Sequence, residues 1–185
     1  MRVLDYPDTE NRAILPYPML ITLIAAISED GFISRDKGIP WHLPADIAHF
    51  REYTAGKHLL LGRTTALEMQ GWFRPGQHPI VLTRHPHSLP TGMLAASSME
   101  NAVSLAEKAV ELVVCGGAAV YELALPWAHR LLLTHVQTKL GSGKHFPDFR
   151  PEDWTATVLA SHSTDQTHAH AFQIVSYQRT QPPSD

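Results

Sequence analysis

The 185-residue chain predicts an α/β fold: a central, mostly parallel sheet of eight strands with an antiparallel finish, flanked by about four helices. Three observations lead there. The apolar runs are short and separated by Gly, Pro and polar clusters, a pattern of strands alternating with helices. The early runs are apolar nearly throughout, as in strands covered on both faces. The last two alternate apolar with polar residues, as in strands with one exposed face.

In chain order the strands are MLITLIAAI (19–27), KHLLLG (57–62), PIVLT (79–83), MLAAS (93–97), LVVCG (112–116), RLLLTHV (130–136), WTATVLA (154–160) and AFQIVSYQR (171–179). Helices fit between them. One spans 44–53 and opens with proline at a first-turn position, where a missing N–H costs nothing. A short one follows Gly62. A third, 98–109, is announced by Ser97 with Glu100 three residues on, and the fourth, 118–125, is stopped by Pro126.

At this length one domain is expected, large enough to bury roughly 70% of the surface of its unfolded chain without a metal or disulfide staple. Residues 19–180 form it, between an N-terminal extension (1–18) and a polar tail (181–185). The formal charge of -3 and pI near 6.4 give no electrostatic reason for nucleic acid or an anionic membrane as partner, so small molecules are expected. A single cysteine, Cys115, excludes an internal disulfide and suits the cytoplasm. No run reaches the roughly 18 apolar residues of a membrane span, and the start, MRVLDYPDTENR, has no apolar signal core. A soluble monomer is expected.

The stretch GIPWHLPAD (38–46) brings a lone carboxylate, Asp46, into the first turn of a helix whose Ile47 and Phe50 share its apolar side. Two roles fit. An acid there favours the helix N-terminus through capping and dipole interactions. Alternatively it faces a cleft, where desolvation raises its pKa and a ligand with two parallel N–H donors complements it.

The string LITLIAAISEDGFISRDKGIPWHLPADIAHFREYT resembles the N-terminal signature of the dihydrofolate reductase family. The resemblance continues in family order through LLLGRTT (59–65), PG (75–76), IVLTR (80–84), VVCGGAAVYE (113–122), LLLTHV (131–136) and HFPDF (145–149), covering about residues 19–179. It implies the three-layer dihydrofolate-reductase-like fold and reduction of 7,8-dihydrofolate to tetrahydrofolate by hydride from NADPH. Asp46 would then hold the pterin through its 2-amino group and ring nitrogen, Trp41 an ordered water beside it, and Thr134 would hydrogen-bond Asp46. The substrate residues implied are Ile24, Ala26, Ile47, Phe50, Arg51, Cys115 and Gln77, with backbone carbonyls of Ile24 and Cys115 facing the exocyclic group.

For the cofactor, Gly116 and Gly117 between a strand and a helix let the backbone approach a pyrophosphate. Gly62, Arg63, Thr64 and Thr65 open another helix, with both threonine hydroxyls able to reach phosphate oxygens. The resemblance makes the Gly-Gly bond a frequent cis peptide and assigns Arg63, Thr83 and Arg84 to the 2'-phosphate, hence NADPH over NADH. It also adds Ala26, Ile33, Cys115, Ala118, Val120 and Tyr121 to the cofactor's contacts.

Three positions depart from the family pattern. Gln77 stands where an arginine usually pairs with the glutamate tail, with Arg51 and Arg74 nearby in sequence. Gly143 stands at the usual acidic position that steadies the loop at 28–42. Ala118 and Ala119 replace a glycine and an arginine. These leave two rivals: a reductase of another dihydropterin, such as dihydromethanopterin, and a catalytically silent binder. A pyrimidine substrate like that of riboflavin synthesis fits less well beside Asp46. His168 and His170, expected on one strand face, offer half a metal site at most, and none is expected.

Overall fold

The computed structural model describes residues 19–35, 38–181 and 183, so the expected extension at 1–18 and three of the five tail residues lie outside the described residues. In order the chain forms β1 (Leu20–Ser28), β2 (Phe32–Ser34), α1 (Pro44–Thr54), β3 (His58–Gly62), α2 (Arg63–Glu68), β4 (His78–Leu82) and β5 (Leu94–Ala96). There follow α3 (Met99–Leu105), β6 (Glu111–Gly116), α4 (Ala118–Ala124), β7 (Arg130–Val136), β8 (Lys144–His145), β9 (Trp154–His162) and β10 (Phe172–Arg179). Eight strands make one sheet in the order β5-β4-β3-β6-β1-β7-β10-β9. All neighbours pair parallel up to β7, and β10 lies antiparallel to both β7 and β9.

Side-chain alternation divides the core into two layers. Leu23, Leu60, Ile80, Leu112, Val114, Leu131 and Leu133 pack with Ala102 of α3 and Ala124 of α4. Ile24, Leu59, Leu61, Val113, Cys115 and Leu132 pack on the other face with Tyr53 of α1 and Ala66 of α2. The chain therefore leaves the adjacent strands β1 and β6 toward opposite faces, into α1 and α4. Such a divergence opens a crevice beyond the carboxyl ends of the strands.

Several expected boundaries shift. The third helix is shorter than 98–109, and its cap is Ser98, whose hydroxyl accepts from Asn101 N at 3.2 Å. Ser97 instead donates its backbone N–H to the Asn101 side chain. β9 does not alternate, because it is the sheet edge and most of it is exposed. Nor does β10: it lies between β7 and β9, and Ile174, Val175 and Ser176 in succession are buried. His168 and His170 share no strand face; they lie in the loop before β10. β2 and β8, pairing antiparallel in a separate two-stranded sheet, carry no apolar run that would announce them. Among the described residues no helix is long and apolar enough to cross a membrane.

Candidate active site

The first turn of α1 is set by its sequence. Pro44 fixes φ and has no N–H, Leu43 offers no side-chain cap, and Ile47 N donates to Leu43 O at 3.0 Å. Asp46 is thereby held against β7, where Thr134 Oγ1 donates to its Oδ1 at 2.6 Å. Desolvation pushes the Asp46 carboxyl above the usual carboxylate range, and the Thr134 bond works against that rise. Thr134 is buried and sits in register with Ala26 of β1.

Ile24, Ala26 and Cys115 line the same sheet face as Asp46. Cys115 is buried, and burial pushes its thiol up, out of the range of a reactive thiolate. The Ile24 carbonyl accepts from the buried Tyr121 hydroxyl at 2.6 Å. Trp41 is buried, and its indole N–H meets no acceptor among the described residues. Phe50 packs half-buried on this core face. Ile47 and Arg51 line a cleft of about 420 Å³ that Trp72 closes, with the Arg51 guanidinium 4.9 Å from the Trp72 ring.

A second cleft, of about 620 Å³, opens at the carboxyl ends of β3, β4 and β6. Gly62, Gly117, Ala118 and Val120 form its floor, and Thr64, Thr65 and Thr83 bring hydroxyls. Arg63 and Arg84 supply positive charge, joined by Lys144 from β8. Gly116 and Gly117 are linked by a cis peptide bond. A side chain on Gly116, at φ +97°, would run into the Tyr121 ring, and one on Gly117 would crowd Thr65 Oγ1 at 3.3 Å. The glycines thus keep a cradle open beneath hydroxyls and cations, a donor set suited to phosphate. Ile33 is half-buried in β2 and packs against the core layer that holds Val120 and Tyr121.

The family model for dihydrofolate reductase matches residues 20–179. This chain belongs to the dihydrofolate reductase family. It is 37% identical over 161 residues to dihydrofolate reductase type 3 of Salmonella typhimurium, covering 87% of this chain and 99% of that protein. It is 34% identical over 184 residues to dihydrofolate reductase HdrB of Haloferax volcanii, covering 95% and 89%. The fold matches the dihydrofolate reductase of Enterococcus faecalis solved with NADP(H) and RAB-propyl at a TM-score of 0.80 and 28% identity, over 89% of this chain and 99% of that one.

Against the dihydrofolate reductase pattern, the departures acquire local causes. Gln77 is engaged: its Nε2 donates to Thr54 Oγ1 and O at 2.9 and 3.1 Å, and its Oε1 accepts from Arg74 N at 2.8 Å. Gly143 adopts φ +145°, and a side chain there would strike the Ser34 carbonyl, so no acid fits. Asp30 tethers the loop instead, accepting from Leu140 N at 3.1 Å and Gly141 N at 2.7 Å. Two residues near the clefts escaped the sequence reading. Lys144 stands in a two-residue strand with no pattern, and His168, weighed only as a metal ligand, bonds Ala45 N at 3.1 Å.

Proposed function

We propose that this chain reduces 7,8-dihydrofolate to tetrahydrofolate, with NADPH in the glycine-floored cleft and the pterin against Asp46. The observation that carries the reading is the carboxylate of Asp46, fixed by Thr134 in the helix turn whose Pro44 and Ile47 line the smaller cleft. NADPH, when bound, supplies the hydride. The hydride forms the new C–H bond at the imine carbon, the C=N electron pair passes to the ring nitrogen, and that nitrogen takes a proton.

The chain's own groups orient and polarise. Asp46 accepts the two parallel N–H bonds of the pterin edge, and its charge favours the protonated imine. Thr134, by donating to one carboxylate oxygen, leaves the rest of the group to face the ligand. Trp41 places its N–H donor beside this region to hold a water that delivers the proton. Arg63, Arg84 and Thr83 hold the 2'-phosphate, the basis of a preference for NADPH over NADH. Thr64, Thr65 and Lys144 meet the remaining phosphate oxygens. A monomer in the cytoplasm completes the reading, with one buried thiol and both clefts within one chain in support. Steady-state oxidation of NADPH with dihydrofolate tests it: robust turnover is expected, and binding of both ligands without turnover would overturn it.

A second reading rests on Gln77. Because its amide is spent on Thr54 and Arg74, Gln77 offers no free donor of its own where the glutamate tail is usually gripped. Dihydropterins without that tail are therefore accepted nearly as well.

A further inference from the structure

We propose that His168, oriented by Asp165, is a positioning residue for Asp46: it holds the first backbone N–H of α1 and so fixes where the carboxylate points. This deepens the role just given to Asp46 and rests on it. Pro44 has no N–H and Leu43 provides no side-chain cap, so Ala45 bears the first donor of the helix. That donor meets His168 Nε2 at 3.1 Å, across 123 residues of sequence. Asp46 is the next residue along.

The imidazole is prepared for this bond from its other side. Asp165 lies 2.9 Å from His168 Nδ1 through Oδ1 and 3.0 Å through Oδ2. A carboxylate only accepts, so Nδ1 carries the hydrogen and Nε2 presents the lone pair that Ala45 N–H requires. Asp165 is itself fixed, accepting from Thr167 N at 2.7 Å, His168 N at 2.8 Å and Thr167 Oγ1 at 2.9 Å. The ring is 7% exposed and packs beside Phe172 and His162, at centroid distances of 5.7 and 5.8 Å. A loop held by its own hydrogen bonds thus caps a helix that its own sequence leaves uncapped.

Asp46 is consequently held at two points. Thr134 fixes the carboxylate from β7, and His168 fixes the peptide that carries it. Releasing the second lets the first turn fray, and displacements of about 1 Å at a reacting group cost on the order of 100-fold in rate. With Thr134 still in place, a smaller loss is expected.

A kinetic cycle tests this, using single-turnover hydride transfer at pH 7 with the full chain. His168→Leu should slow transfer about tenfold with NADPH affinity unchanged, and His168→Gln, whose amide oxygen can accept from Ala45, should recover most of it. In an Asp46→Asn background, His168→Leu should add no further loss, whereas a merely structural role would slow both backgrounds alike. Equal factors in the two backgrounds, or an unchanged rate in folded His168→Leu, overturn the proposal. If His168→Leu does not fold, Asp165→Ala takes its place in the same cycle, with a loss of about threefold expected and equal factors again overturning it. Full activity of Asp46→Asn alone would instead sink the Asp46 assignment, so the two failures are told apart.

Discussion

At Asp46 stability and the proposed role in catalysis pull in opposite directions. Burial raises its pKa above the unfolded value, so the folded state binds the extra proton and stability falls as pH rises through that interval. Asp46→Asn keeps an oxygen for Thr134 while removing the buried charge. It should therefore raise Tm near pH 7 by a few degrees, at roughly 2–4 °C per kcal/mol for a chain of this size. That gain should vanish at acid pH, where wild-type Asp46 is also neutral. The same variant should lose on the order of 100-fold in kcat at pH 7, recovering at low pH where the substrate arrives protonated. A melting series against pH and a pH-rate profile check the two halves. Gln77 poses the converse problem, a side chain used for structure where the family uses one for binding. Gln77→Arg gives up the bonds to Thr54, each worth about 1 kcal/mol, and offers a cation to the tail. The expected result is a lower KM for dihydrofolate relative to a tail-less dihydropterin, with kcat unchanged and Tm reduced, because the tail is remote from the reacting atoms. Strong discrimination already present in the wild type would mean that Arg51, poised on Trp72, grips the tail.

The elements show what local sequence can reveal and what it cannot. The inner strands of the main sheet were legible because burial on two faces forces a continuous apolar run, the largely exposed edge strand β9 only from its β-branched, apolar-rich composition, and α1, α2 and α4 were legible from Pro44, Gly62 and Pro126. β2 and β8 were not, since their backbone pairing places no demand on side chains beyond the room Gly143 leaves for Ser34. The site divided likewise. Asp46 stood out as one carboxylate in an uncharged stretch, but its bond to Thr134 spans 88 residues, and only resemblance to a known family joined the two. The contact of His168 went unseen because its partner is a backbone N–H, which no residue type marks. The loop tether is similarly hidden. Asp30 is a surface acid, yet the bond from Ser28, with those from Gly141 and Leu140, holds its carboxyl down at about 2. Its lowered pKa means that the tether is intact above the ordinary carboxylate range and is lost as pH falls through about 2. Asp30→Ala should speed amide exchange in β2 and β8 about tenfold while leaving β1 and β7 protected, as hydrogen-exchange mass spectrometry would read.

Across the whole molecule the sheet divides its labour end to end. Its carboxyl end carries the larger cleft, and its amino end carries a buried polar cluster centred on Glu111, the first residue of β6. Thr22 Oγ1 of β1 and the Tyr53 hydroxyl of α1 each donate to Glu111 Oε1 at 2.5 Å, and Lys57 Nζ lies 2.6 Å from Oε2. Arg130 of β7 adds a 3.3 Å bond to the Tyr53 hydroxyl. Desolvation pulls the Glu111 carboxyl upward, but the Lys57 charge and the bonds from Lys57, Thr22 and Tyr53 outweigh it and hold the group below its usual value. A depressed carboxylate stabilises the fold above its unfolded pKa and loses that contribution as pH falls through the folded one. Glu111→Leu leaves the Lys57 ammonium and two buried hydroxyls without their acceptor, which should cost about 3–5 kcal/mol at pH 7 and lower Tm by on the order of 10 °C. The deficit should shrink as pH falls below the ordinary carboxylate range and through the lowered folded-state pKa of Glu111. Because Glu111 stands at the opposite end of β6 from Cys115 and Gly116, KM for NADPH and dihydrofolate should stay near wild type below the new melting range. A thermal melt with a kinetic assay at 25 °C on the same preparation makes the comparison. Lost turnover in a variant that is still fully folded would mean that the two ends of the sheet are coupled, and that the amino-terminal cluster supports the reaction as well as the fold.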